Sequence, residues 1–111
     1  MADLDKKAQE ELAQLQLIQQ QLQILVSQKQ VLQQRSNEIE DTLKELDKAK
    51  EPVYKLVGEA LIQKDKKEII TDLKKEKDKM EIRLKSVETQ ENKIRDKAKE
   101  LQEKVTKELK K

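Results

Sequence analysis

Apolar residues return at alternating spacings of three and four along almost the whole of this 111-residue chain, and the pattern breaks in a single place. In the first arm, heptad position a falls on Ala8, Leu15, Leu22, Lys29, Ser36 and Leu43. Position d falls on Leu4, Glu11, Ile18, Leu25, Leu32, Ile39 and Leu46, so that ten of the thirteen positions are apolar without a stutter. In the second arm, a falls on Ile70, Lys77, Leu84, Glu91, Ala98 and Val105, and d on Leu73, Met80, Val87, Ile94, Leu101 and Glu108; nine of these twelve are apolar. A spacing that averages 3.5 residues keeps one narrow stripe of a helix facing a partner helix, which is the pattern of a coiled coil. The repeat predicts helices over 4–48 and 66–109.

Between the arms lies EPVYKLVGEALIQKD, residues 51–65, which holds the only proline (Pro52), the only glycine (Gly58) and the only aromatic residue (Tyr54) of the chain. Pro52 lacks an N–H and collides with the preceding turn, so a helix cannot run through it. Val53–Val57 is β-branched and aromatic in character, Gly58-Glu59 suits a two-residue turn with positive φ at the glycine, and residues 60–64 supply a return strand. Asp65 followed by Glu68 matches a capping box that opens the second helix. The stretch 52–64 therefore reads as a β-hairpin, and the hairpin turns the chain back on itself. The fold class expected is mainly α: a long antiparallel two-helix coiled coil joined by a short β-hairpin, residues 1–111 forming a single domain. Some 45 residues of helix span roughly 65 Å, so a thin rod with both termini at one end is expected. Charge favours the same pairing. Residues 1–46 carry five basic and eight acidic side chains, a balance of −3; residues 69–111 carry fourteen and ten, a balance of +4.

Composition excludes most chemistry. Charged residues make up 43% of the chain and the apolar fraction is 34%, with no phenylalanine, tryptophan, cysteine or histidine. Such a chain can fill a seam but not a thick core. Without cysteine or histidine there is no disulfide framework, no thiolate metal site and no customary general base. No phosphate-binding glycine loop and no nucleophile–base pair is present, so no catalytic, cofactor or metal residues are assigned and an enzyme is not expected. Lys74, Lys75, Lys77 and Lys79 are interleaved with acids and the net charge is only +2, which argues against nucleic acid as a partner. No run of apolar residues has the length of a membrane span and the N-terminus lacks a signal-peptide core, so a cytoplasmic protein is expected.

The hairpin is the most telling segment. Two isolated strands are marginal in water, and Val53, Tyr54, Leu56, Val57, Leu61 and Ile62 around Gly58 are too apolar to remain bare. Either they tuck against the helix ends or they join subunits, with strand edges completed by other chains; the second reading explains more. The pattern VYKLVGEALI (53–62), flanked by the glutamine-rich LQLIQQQLQILVSQKQVLQQ (15–34) and by KEIITDLKKEKDKMEIRLKSVETQENKI (67–94), resembles the β class of prefoldin subunits over the whole chain. The α class carries two hairpins, for which there is no room. The resemblance implies an ATP-independent chaperone subunit, a holdase. It implies a hetero-hexamer of two α-type and four β-type subunits whose hairpins build a double β-barrel, and coiled-coil tips that hold unfolded client proteins for delivery to a group II chaperonin. The alternative is a structural coiled-coil tether or homodimeric helical hairpin without client binding.

In that frame Leu4, Ala8, Leu12, Leu15, Leu101, Val105 and Leu109 are candidate client-binding residues at the free tip, if the seam frays; otherwise they simply finish the seam. Leu17, Ile24 and Val31 recur at heptad position c, with Val26 at e, where a two-stranded coil is ordinarily polar. They are either a second client surface or scattered surface residues. Lys29, Ser36, Lys77 and Glu91 interrupt the seam and are expected to set register, with a Lys29–Glu91 pair conceivable.

Overall fold

The computed structural model describes residues 2–110, with side chains from residue 6 onward. Helix α1 (Ala2–Lys48) leads into strand β1 (Val53–Val57), strand β2 (Ala60–Lys64) and helix α2 (Lys66–Lys110). The mainly α class with a hairpin between two long helices is thus the observed architecture. The chain divides into two compact units, Met1–Gln30 with Lys85–Lys111 and Val31–Leu84.

Within each unit the helical segments run antiparallel, and their contact follows the heptads. Every a and d side chain that is described, in both helices, is buried or half-buried. Outside those positions, among the described residues, only Val26 in α1, and Lys66, Ile69 and Glu76 in α2, escape full exposure. The deepest apolar groups are Ala8, Leu25 and Val105 in the first unit and Ile39, Leu46 and Leu84 in the second, with Ile39 at 0% exposure. A two-helix seam buries two residues per heptad per helix and nothing more, so the other five positions must be polar or find cover elsewhere.

The second unit contains the chain reversal. Asp65 acts as the N-cap of α2: the Lys67 amide donates to Asp65 Oδ1 at 3.2 Å, and the Ile69 amide donates to the Asp65 carbonyl at 3.1 Å. The capping box is only half made, because among the described residues the Glu68 carboxylate accepts no hydrogen bond from the Asp65 amide. Lys66, at the first position of α2, reaches back instead. Its Nζ donates to the Ala49 carbonyl at 2.9 Å and to the Asp47 carbonyl at 3.5 Å. A cation at the start of a helix opposes that helix's dipole, but here it neutralises the carbonyl end of α1. The Ala49 amide adds a bifurcated bond to the Glu45 and Leu46 carbonyls at 3.0 and 3.2 Å. One end of α1 and one end of α2 are thereby tied across the hairpin.

The strands pair antiparallel, Val53 with Lys64 through Val57 with Ala60. Gly58 has φ +60° and Glu59 does not share the positive φ, which is the signature of a type II′ turn. That turn matches the right-handed twist of the strands it connects.

Ile39→Ala should lower the unfolding free energy by about 2–5 kcal/mol in a urea titration followed by circular dichroism, since the cavity sits where nothing else can fill it. Gln23→Ala on the exposed face of α1 should leave stability within about 0.5 kcal/mol of the parent.

Candidate functional site

The hairpin exposes most of its apolar surface. Strand pairing sets Tyr54, Leu56 and Leu61 on one face, with Leu56 directly opposite Leu61, and Val53, Val57 and Ile62 on the other. Both faces are open: Leu56 and Leu61 are 65% and 70% exposed, Tyr54, Val57 and Ile62 are also exposed, and only Val53 is half-buried. Gly58 has no atom near the place a Cβ would occupy, so its role is conformational rather than steric. Beneath β1 runs a groove of about 490 Å³ between hairpin and helices. Leu46, Val53, Ile69 and Leu73 line it, with Arg35 and Glu76 at its rim. The two rim residues form a bidentate pair, Arg35 Nε and Nη2 donating to the Glu76 carboxylate at 3.1 and 3.2 Å. The two-stranded sheet thus leaves two apolar faces uncovered and, among the described residues, unpaired backbone at both edges.

The residues expected at the tip separate into two kinds. Ala8 and Val105 are buried in the seam, and Leu15 and Leu101 are half-buried there. Leu12 and Leu109, both at position e, are exposed, Leu109 at 68%. The side chain of Leu4 lies outside the described residues. On α1 the three c-position residues are all exposed: Leu17 and Ile24 in the first unit and Val31 in the second. Val26 is half-buried. The sequence reading passed over Ile82, which stands 69% exposed at position f of α2; its heptad phase was signal enough to find it.

Comparison with known proteins turns this geometry into a family. The model of the prefoldin subunit family matches residues 9–111. A prefoldin subunit beta from Methanothrix thermoacetophila is 40% identical over 109 residues, covering 96% of this chain and 91% of its own. Another from Archaeoglobus fulgidus is 37% identical over 107 residues, covering 95% and 92%. The chain belongs to the prefoldin subunit family. The crystal structure of the prefoldin beta subunit from Thermococcus strain KS-1 superposes with a TM-score of 0.84 at 35% identity, over 91% of this chain and 90% of that one. The β-class resemblance carried by VYKLVGEALI is thereby established on the full fold.

Three charged clusters mark the seam of this prefoldin chain. In the first unit Lys29 and Glu91, both at position a, meet across the interface with Nζ donating to Oε1 at 2.9 Å, and Arg95 adds a second donor to Glu91 at 3.2 Å. The conceivable pair is therefore real. The Lys29 hydrogen bond, ahead of the Arg95 one and against the cost of burial, holds the Glu91 carboxyl below its ordinary 4.5. Nearer the chain ends, Glu11 and Glu108 bring two carboxyl groups together at d positions. Burial first, then the hydrogen bond with Glu108 and that residue's charge, push the Glu11 carboxyl above its ordinary value, while Lys7 and Lys104 oppose the shift. Lys7 Nζ lies 3.0 Å from Glu108 Oε1, and that bond raises the Lys7 ammonium. In the second unit Lys77, at position a, leans out to Glu40 at 3.5 Å. Among the described residues no three acidic side chains cluster in a way that could hold a metal ion, and no helix is long and apolar enough to cross a membrane.

The two acid shifts oppose each other. Glu91, depressed in the fold, contributes stability above its unfolded value and loses it as pH falls through the folded one. Glu11, raised in the fold, contributes most below its unfolded value and loses that contribution as pH rises through the folded one. Thermal unfolding should therefore show Glu91→Gln melting a few degrees lower at neutral pH and converging on the parent in acid. Glu11→Gln should melt higher at neutral pH, again converging in acid; the opposite ordering would remove the assignment of the two roles.

Proposed function

We propose that this chain is a subunit of an ATP-independent chaperone, a holdase in which residues 1–111 act as one domain. Its hairpin joins α-type and further β-type prefoldin subunits in a cytoplasmic hetero-hexamer of two α and four β chains. Its arms capture non-native proteins, which pass to a group II chaperonin. No step requires catalysis or a cofactor.

One observation supports assembly above the rest: the hairpin leaves Tyr54, Leu56 and Leu61 uncovered on one face and Val57 and Ile62 on the other. Strand addition from a neighbouring chain would satisfy the open edges and bury both faces at once. Client capture rests on the apolar groups stranded outside the seam. Leu12 and Leu109 are available without any rearrangement, and so are Leu17, Ile24 and Val31. Leu15 and Leu101 become available only with partial separation of the helix ends, and Ala8 and Val105 only with complete separation. Family membership is what supports transfer to a chaperonin and the two-to-four composition.

Mixing with an α-type subunit and weighing the intact complex by native mass spectrometry should give a hexamer. Leu56→Glu with Leu61→Glu should stop at smaller species while the helical content of the arms is kept. Leu12→Ser with Leu109→Ser should still assemble but should suppress aggregation of a chemically unfolded client at least several-fold less well. A parent chain that stays a monomer or dimer beside every α-type partner would point to a tether instead.

A further inference from the structure

The first unit carries a groove that the seam does not fill. It has a volume of about 400 Å³, is floored by Ile24, Leu25 and Ile94, and is walled on the α2 side by Lys93 and Lys97. Leu25 is buried and Ile94 half-buried, whereas Ile24 is 58% exposed at a position where a paired helix ordinarily presents a polar group. Gln21 and Gln90 complete the lining, so no acidic side chain borders the groove. Among the described residues neither lysine makes an ion pair or a side-chain hydrogen bond, although ion pairs are formed elsewhere along the arms by Lys7, Lys29, Arg35, Lys77 and Arg95. The site therefore combines an uncovered apolar floor with two unpartnered cations on one side.

Resting on the client-capture reading above, we propose that this groove selects unfolded segments in which a large apolar side chain is flanked by aspartate or glutamate. An apolar anchor seated on Ile24 and Ile94 removes their surface from water. The aliphatic stems of Lys93 and Lys97 extend that floor, and their ammonium groups remain at the rim. A carboxylate a few residues from the anchor meets those ammonium groups without being dehydrated. A lysine or arginine there meets like charge and is disfavoured. Charge complementarity thus names the occupant: an acidic–apolar stretch of client.

The test uses this chain and three labelled peptides of one length with the same leucine anchors, flanked by glutamate, glutamine or lysine. Fluorescence anisotropy at low salt should rank them in that order. The glutamate peptide should bind about fivefold more tightly than the glutamine peptide, as expected of two exposed ion pairs, and the gap should close at high salt. Lys93→Gln with Lys97→Gln should abolish the ranking while keeping the affinity for the glutamine peptide. Ile24→Gln should weaken all three. Equal binding of the three peptides by a chain that still suppresses client aggregation would overturn the selectivity and leave the chaperone reading standing. A chain that neither binds peptides nor suppresses aggregation would overturn both. Sedimentation showing self-association that Lys93→Glu with Lys97→Glu dissolves would assign the groove to a second copy of the chain, and the proposal would fall.

Discussion

One helix can bury only a narrow stripe against one other helix, and everything distinctive about this chain follows from that geometric limit. The a and d positions are consumed by the seam, which reaches full burial only at a residue such as Ile39. Any apolar side chain placed elsewhere is left in water by the fold of the subunit itself. The chain nonetheless places Leu12, Leu17, Ile24, Val31, Ile82 and Leu109 outside the seam, and Tyr54, Leu56, Val57, Leu61 and Ile62 on the hairpin. Scattered exposed apolar residues need no explanation, but an entire hairpin with both faces bare does. The surfaces that the seam cannot cover are the surfaces on which the proposed function rests.

The polar seam residues show a related trade. A buried ion pair seldom stabilises more than a well-packed apolar pair would, since both charges lose hydration. Lys29 and Glu91 nevertheless face each other at an a layer, and Arg95 gives the carboxylate a second donor. What such a layer secures is register: sliding one helix by a heptad would part Glu91 from Lys29 and set its charge opposite Leu22 or Ser36, and leucine seams alone do not forbid that slide. Glu11 and Glu108 work in the other sense. Two carboxyls at neighbouring d positions weaken the seam close to the chain ends at neutral pH, with Lys7 compensating in part. A seam pinned by Lys29 and Glu91 and loosened at Glu11 and Glu108 is graded along its length in the direction that the proposed capture of clients near the ends would require.

Much of this was legible in the residues because it is local. A heptad phase is a property of spacing alone, and every described a and d side chain followed it. Gly58 as the turn residue and Asp65 as the N-cap were legible for the same reason: each satisfies a backbone demand set by its immediate neighbours. What escaped was set by partners distant in sequence. Lys66 is an unpromising residue at the start of a helix until the C-terminal carbonyls of α1 are placed beside it. The Glu11–Glu108 pair exists only once the register of two antiparallel helices is known. The tip residues were grouped together by position along the chain, yet a difference of heptad letter separates Ala8 and Val105 in the seam from Leu12 and Leu109 in water.

The strength of capture can be bounded from the exposed residues themselves. Full burial of one leucine is worth roughly 1.5–3 kcal/mol, which is a factor of roughly ten to a hundred and fifty in an equilibrium constant before any cost of ordering the client is subtracted. A segment that engages one such residue would therefore leave almost as soon as it arrived. Under the proposed function, residence would come from several arms holding one client, each contact raising the effective concentration of the next. Release on that reading would need no hydrolysis, because loss of any one contact lowers the avidity of the rest and a folding client withdraws its apolar groups one by one. An enzyme-like pocket would defeat that arrangement by binding too well at a single place, and shallow, partly polar grooves such as the one at Ile24 suit it.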